Sequence, residues 1–306
     1  MRFFFQKENF LDVLTPPVVQ NPGMETHIHP FRLWHEKDKK KSDLFLHTSP
    51  EFHMKELLAS SEDFEKIFTI NYAFRDEPIS EIHRPQFLML EWYRKNERYE
   101  KIMEDVKNLI NFSHNYLAKK SYPVKKEINT FQEATVQDLF SEICHFDILE
   151  FLETKDLQRK IALDFKSVPL PQVQCAWDDY FFLIFLNLIE PTFKKIPFLL
   201  LKEFPAPLAA LSTLKESDPR VCERFEVYLS GIELCNCFNE ITDPVTLEKR
   251  FRDQQNEKQA IYGYQLPWAS DFMEIMNRGY PKSSGVALGV ERLLFSLIET
   301  TNPFFR

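Results

Sequence analysis

The chain has 306 residues, 44% hydrophobic and 27% charged, with a formal net charge of −8. That is enough to bury a sizeable core in one large domain or two. The acidic balance argues against a general nucleic-acid binder, which is usually basic, without excluding a local basic groove.

The amino terminus, Met1 to Phe5, is followed at once by Gln6, Lys7 and Glu8, so the apolar core of a signal peptide is missing. The longest apolar run, Phe181 to Leu186, is far short of the roughly 20 residues that span a bilayer. A cytoplasmic protein without membrane contact is expected. Cys144, Cys175, Cys222, Cys235 and Cys237 are odd in number and contain no CxxC pair, which fits reduced thiols better than a disulfide framework or zinc site.

In chain order, Asn9 to Val19 is an apolar stretch broken at Pro16-Pro17. His27 and His29 are two apart, but no third ligand stands at metal-binding spacing, so they read as polar loop histidines. Glu36 to Asp43 is a mixed charge run, a solvated hairpin tip. Leu44 to Leu58 reads as strand, turn and helix, with Thr48 or Ser49 as cap, Pro50 in the first turn and Glu51 at the positive end. Any helix start can look like this.

Phe68 to Arg94 reads as two apolar strands joined by a polar loop. Phe68, Ile70, Tyr72 and Phe74 alternate with the period of a half-buried strand. Gln86 to Tyr93 is apolar on both faces except at its ends and at Glu91, the pattern of a central strand. Arg75 and Glu77 share one face, Glu91 and Tyr93 another. Paired as a hairpin, the strands put an arginine, two carboxylates and a phenol on one surface. That surface suits a nucleotide phosphate beside a cationic substrate, or else is a solvated salt-bridge patch.

Asn96 to Lys120 carries Tyr99, Ile102, Met103, Val106, Leu109 and Ile110 at helical spacing. Short helices with proline breaks follow from Thr130 to Pro191, then an apolar strand over Ile196 to Phe204. Glu233 and Glu240 lie seven apart in Phe225 to Glu240, on opposite faces of a straight strand unless a bulge intervenes. Thr246 to Ile261 is a charged helix, and Ser284 to Leu294 a glycine-bearing strand running into a helix that starts with Glu291-Arg292.

Phe74-Arg75-Asp76-Glu77, the loop with His83 and Pro85, and Phe87-Leu88-Met89-Leu90-Glu91-Trp92-Tyr93 together resemble motif 2 of the class II aminoacyl-tRNA synthetases in its lysyl form. Asn9 to Val19 resembles motif 1, with Pro16 as its proline, and Ser284 to Leu294 resembles motif 3. Ser49-Pro50-Glu51-Phe52-His53-Met54-Lys55 and Phe225 to Glu240 are similar to two further lysyl-family segments. The likeness runs from Phe3 to about Ile298 and is nearest to the synthetase paralogues known as elongation factor P–(R)-β-lysine ligases.

The resemblance implies an α+β fold, an antiparallel sheet flanked by helices, in a single catalytic domain over residues 1–306 with no anticodon-binding domain. It implies an ATP-dependent ligase that makes an adenylate of lysine or (R)-β-lysine and transfers the acyl group to a lysine of elongation factor P. Arg75 and Arg292 are the expected catalytic residues. Arg75, Asp76, Glu77, Arg84, Glu233, Leu234, Gly289 and Arg292 are the expected ATP contacts, and Glu233 and Glu240 the magnesium ligands. Ser49, Pro50, Glu51, Tyr93 and Glu240 are expected to bind the amino acid. A homodimer through motif 1 and no stable tRNA binding are further expectations. Arg84, Gln86, Cys237 and Glu291 replace the family's asparagine, glutamate, glycine and aspartate. Open alternatives are a lysyl-tRNA synthetase-like enzyme with another acceptor, and an inactive paralogue serving as a binding module.

Overall fold

The computed structural model describes residues 1–80, 82–125, 131–171 and 175–298. Of the stretches read above, Glu81, Thr130 and residues 172–174 lie outside them. The chain divides into two compact units, Met1–Val124 with Glu240–Arg306, and Lys125–Asn239.

The first unit opens with helix α1 (Arg2–Lys7), strand β1 (Leu11–Asp12) and strand β2 (Val18–Val19). Strands β3 (Arg32–His35) and β4 (Lys40–Leu46) form the hairpin expected around the charged tip, and β2 pairs with β4. Helix α2 (Glu51–Ser60) leads into β5 (Lys66–Phe74), β6 (Gln86–Lys95) and the long helix α3 (Tyr99–Lys119). After the second unit the chain returns as α4 (Pro244–Tyr262), α5 (Ser270–Gly279), β7 (Ser283–Gly289) and α6 (Val290–Leu297). Asp243 caps α4 through the Thr246 amide at 2.9 Å, and Pro244 takes the position where a missing N–H costs nothing.

The strands run β1-β5-β6-β7, antiparallel except for the β1–β5 pair. The hairpin of β5 and β6 is thus present, and β6 is central, buried from Met89 to Lys95. One face of β6 carries Trp92 and Arg94. Arg94 grips buried Asp105 of α3 at 2.6 and 2.8 Å, and Phe5 of α1 stacks on Phe68 and packs against Trp92. A buried arginine needs such a paired carboxylate. On β5, Phe68, Ile70, Tyr72 and Phe74 do share a face, but only Phe68 is buried and Tyr72 is 46% exposed. The more deeply buried face is the opposite one, with Ile67, Thr69 and Ala73, because the register sets Ile67 and Thr69 beside Tyr93 and Glu91.

In the second unit the strands Ile232–Asn239, Arg224–Leu229, Phe198–Lys202 and Gln132–Thr135 lie side by side in that order, the last pair parallel. Phe198–Lys202 is the apolar strand expected there, whereas Gln132–Thr135 is polar and edge-lying and carries no strand signal. A core rich in phenylalanine, including Phe140, Phe181, Phe185 and Phe193 with Trp177 and Tyr228, packs beneath them. Both units therefore have the expected α+β make-up. All five cysteines are free thiols.

Candidate active site

Helix α2 starts one residue later than the sequence pattern predicts. Pro50 stands just outside it, and Ser49 Oγ accepts from the Glu51 amide at 3.4 Å. Thr48 turns its hydroxyl away to the Pro22 carbonyl at 2.8 Å. Glu51 is the first helical residue, where unpaired amides favour a carboxylate. One turn on, the ammonium of Lys55 lies 2.7 Å from Glu51 Oε1 and 2.6 Å from Glu240 Oε2. The second contact is an ion pair without hydrogen-bond alignment. Lys55 and Glu240 are both buried. Glu240 is placed by its own amide, which donates to the Ser283 carbonyl of β7.

Strand β6 adds Glu91 and Tyr93 to this cluster. The Tyr93 hydroxyl donates to Glu91 Oε2 at 3.3 Å, while Glu91 Oε1 and the facing Thr69 hydroxyl, both buried, have no partner. Burial, then the charge of Glu51, holds the Glu91 carboxyl well above the usual range, with Lys55 opposing. Burial likewise raises Glu240, Lys55 opposing and Glu51 adding to the rise. Burial works against the Lys55 charge, but Glu240 and Glu51 outweigh it and its pKa rises. Glu51 and Glu240 thus share one ammonium, with the buried Glu91 carboxyl close enough to feel all three charges.

Two glycines make room. A Cβ on Gly285, directly opposite Tyr93 in the ladder, would lie 2.1 Å from Cε1 of that ring. Gly23, at φ +142°, lets Glu25 fold inward, since a Cβ there would meet Glu25 Oε2 at 2.5 Å. Glu25 shares a small cleft with Ser49 and Glu51, and burial and Glu51 raise its carboxyl.

Arg75 leaves β5 with its amide bonded to the Pro85 carbonyl at 2.9 Å, closing the loop between the strands. Its guanidinium donates to the Thr48 carbonyl at 3.3 Å and lies 5.3 Å from the Phe87 ring centroid. The Asp76 amide bonds the His29 carbonyl at 2.7 Å. His83 is lowered by burial, then by Arg292 and by Arg75, with Glu77 opposing, so these four groups share one neighbourhood. Arg84 is half-buried near the end of the same loop. Gly289 precedes α6, and the atoms nearest a Cβ there are those of the Arg292 side chain, from 3.4 Å. Glu291 accepts the Leu88 amide with both oxygens, at 2.8 and 3.0 Å, which pins the start of α6 to β6.

The first unit thus brings together Ser49, Glu51, Tyr93 and Glu240, and separately Arg75, Glu77 and Arg292. Glu233 and Leu234 belong to the second unit. There the register shifts between Val227–Cys235 and Tyr228–Glu233, which leaves Leu234 as the extra residue of a bulge. The bend is therefore at Leu234 and not at Cys237. Lys55 was not among the predicted site residues, and Glu91 was expected on the charged surface of the hairpin but given no role there. Lys55 reads in sequence as one half of an ordinary helix pair with Glu51, and Glu91 as the polar exception in a central strand. His27 and His29 bond the hydroxyls of Tyr262 and Tyr264, at 2.9 and 2.6 Å.

A family model for class II tRNA synthetases (D, K and N) matches residues 1–302. The chain is 35% identical over 297 residues to the elongation factor P–(R)-β-lysine ligase of Erwinia tasmaniensis, covering 96% of this chain and 86% of that one. It is 33% identical over 310 residues to the ligase of the same name from Hamiltonella defensa, with 99% and 89% covered. Against that of an Enterobacter species it is 33% identical over 297 residues, with 96% and 86% covered.

Proposed function

The chain belongs to the class II tRNA synthetases of the D, K and N type, and on that footing we propose that it is an ATP-dependent ligase acting on elongation factor P. It activates (R)-β-lysine or lysine as the adenylate and passes the acyl group to a lysine side chain of that protein. The observation that carries the substrate class is the charge count around Lys55. Glu51, Glu91 and Glu240 gather around the single cation Lys55, and burial raises the carboxyls of Glu91 and Glu240, so the cluster can ionise fully only when further cations enter it. A diamino acid supplies two ammonium groups, and the unpartnered Glu91 Oε1 is an open acceptor for one of them.

In the first step the substrate carboxylate attacks the α-phosphate of ATP, forming the acyl-phosphate bond as pyrophosphate leaves. Arg75 holds the carboxylate and α-phosphate and Arg292 the far phosphates, stabilising charge that builds in the transition state without a general base. In the second, the neutral amine of the acceptor lysine attacks the acyl carbon, AMP departs and the amine loses a proton. The lack of a side chain at Gly289 suits a nucleotide lying close to its backbone. Glu233 and Leu234, with Asp76, Glu77 and Arg84, are assigned to ATP by the motifs. Magnesium, which takes oxygen ligands and bridges phosphates, is assigned to Glu233. Glu240, expected to serve both metal and amino acid, goes to the amino acid, because an ammonium already stands 2.6 Å from it.

The match of one family model to residues 1–302 supports a single catalytic domain. The net charge of −8 supports a protein acceptor without stable tRNA binding, since phosphate contacts need a basic footprint. Among the described residues no helix is long and apolar enough to cross a membrane, and we place the enzyme in the cytoplasm. Pyrophosphate exchange with β-lysine and lysine side by side, followed by label transfer to elongation factor P or to tRNA, tests the proposal. Exchange with a diamino acid and transfer to the protein are expected. Transfer to tRNA with none to the protein overturns it.

A further inference from the structure

Lys55 is fully buried, yet a leucine or methionine would suit the inner side of α2 as well. Its ammonium joins two carboxylates that come from distant parts of the chain, Glu51 at the start of the helix and Glu240 after the second unit. The groups around it are mostly acids, Glu91 and Tyr93 from β6, Tyr280 just before β7, and Glu25 acting on Glu51, with Arg75 acting on Glu25 and His47 and His53 lining the cleft that Glu25 and Glu51 share. The Phe272 ring of α5 closes the remaining side, 5.8 Å from Nζ.

We propose that Lys55 is a positioning residue of the activation site, holding Glu51 and Glu240 at a fixed separation and countering their charge, so that their remaining oxygens receive the substrate's ammonium groups. The inference rests on the amino-acid-activating reading above. Without Lys55, the partly buried Glu51 and buried Glu240 lose the cation between them, with buried Glu91 beside them, and protonation within the cluster extends to higher pH. A protonated carboxyl binds an ammonium poorly, so the loss falls on the amino acid and not on ATP. Raising the pH removes that proton and restores the pair.

The test uses Lys55→Met, which keeps the length and removes the charge, Lys55→Arg, which keeps the charge, and Lys55→Gln should the methionine variant not fold. In pyrophosphate exchange, the uncharged variant should show an amino-acid KM raised tenfold or more at pH 6.5. That penalty should shrink several-fold by pH 8.5, with the KM for ATP within twofold of the parent. Lys55→Arg should recover most of the loss. A pH-independent loss shared equally by both substrates means packing alone and overturns the inference, as does an unchanged KM. A second readout needs no activity: with glutamate labelled at the carboxyl carbon, NMR signals assigned through Glu51→Gln and Glu240→Gln are followed across pH. Removal of the lysine charge should move at least one titration midpoint upward by more than one pH unit, and unmoved midpoints overturn the inference. Parent protein that exchanges with neither diamino acid overturns the functional reading, and the carboxyl titration then decides Lys55 alone.

Discussion

At the scale of single residues, two side chains separate the phosphate chemistry from the recognition of the amine. Arg75 is tethered through Thr48 and Phe87 but keeps donors to spare, because a guanidinium has five N–H groups and the Thr48 carbonyl takes one. Arg75→Ala should therefore leave the fold intact and lower pyrophosphate exchange by about a hundredfold or more, the loss typical of one transition-state donor. Near-normal exchange in folded Arg75→Ala protein removes motif 2 from the mechanism. Glu91 acts oppositely on stability and function. Its folded-state pKa lies above the unfolded value, so as pH rises the unfolded chain loses that proton first and folded-state stability declines, until the folded pKa is passed. Glu91→Gln abolishes this titration. The variant should melt higher than the parent at pH 8, with the gap closing toward pH 4, while its amino-acid KM rises by about thirtyfold, the equivalent of ~2 kcal/mol for a lost buried charge pair. A variant that melts lower at pH 8 and binds normally makes Glu91 a packing residue. Arg75, Glu51, Tyr93 and Glu240 were legible because each sits in a local motif. Lys55 was not, since its second partner is brought to it only by the fold.

Elements position these groups through register. The pairing of β6 with β7 sets Gly285 against Tyr93 and Ala287 against Glu91, so the floor of the proposed amine site is one side of a ladder. The methyl group of Ala287 thus stands beside Glu91. Gly285→Ala forces the Tyr93 ring to move, because a Cβ would stand 2.1 Å from it. We expect a stability loss of about 1–3 kcal/mol from overpacking, read as a lower Tm, and a raised amino-acid KM with little change for ATP. Pairing Gly285→Ala with Tyr93→Leu should give less than the sum of the single effects, and strict additivity would show that the two do not touch. The long helix α3, the strand-to-helix step at Gly289 and the hairpin of β5 and β6 could be read from periodicity, since each buries one face or one whole strand. The bulge at Leu234 could not be located, because a bulge is defined by the partner strand's register and leaves no mark in its own sequence. The strand Gln132–Thr135 was equally silent, its residues polar and its pairing on one side only.

For the whole molecule, the motif 1 segment raises the question of what covers it. Of the apolar residues expected to form an interface, Phe10 and Val19 are buried within their own unit, Phe10 edge-to-face with Phe5 and under Arg94. Leu14 is 79% exposed and Val18 42%, and Leu11 joins them at 47%, while Pro16 and Pro17 between them are exposed too. Scattered single apolar residues are ordinary on a surface, but this is a run on one stretch of chain stiffened by two prolines. A second copy meeting it about a twofold axis would bury each side chain twice over. Burying a leucine side chain contributes about 1.5–3 kcal/mol, so a symmetric contact loses about double that when Leu14 becomes charged. The parent should sediment as a dimer at micromolar concentration, and Leu14→Asp should shift it to monomer with an unchanged melting curve in the monomeric range. A parent that stays monomeric at that concentration refutes the dimer, and a Leu14→Asp protein that still dimerises moves the interface elsewhere on the surface.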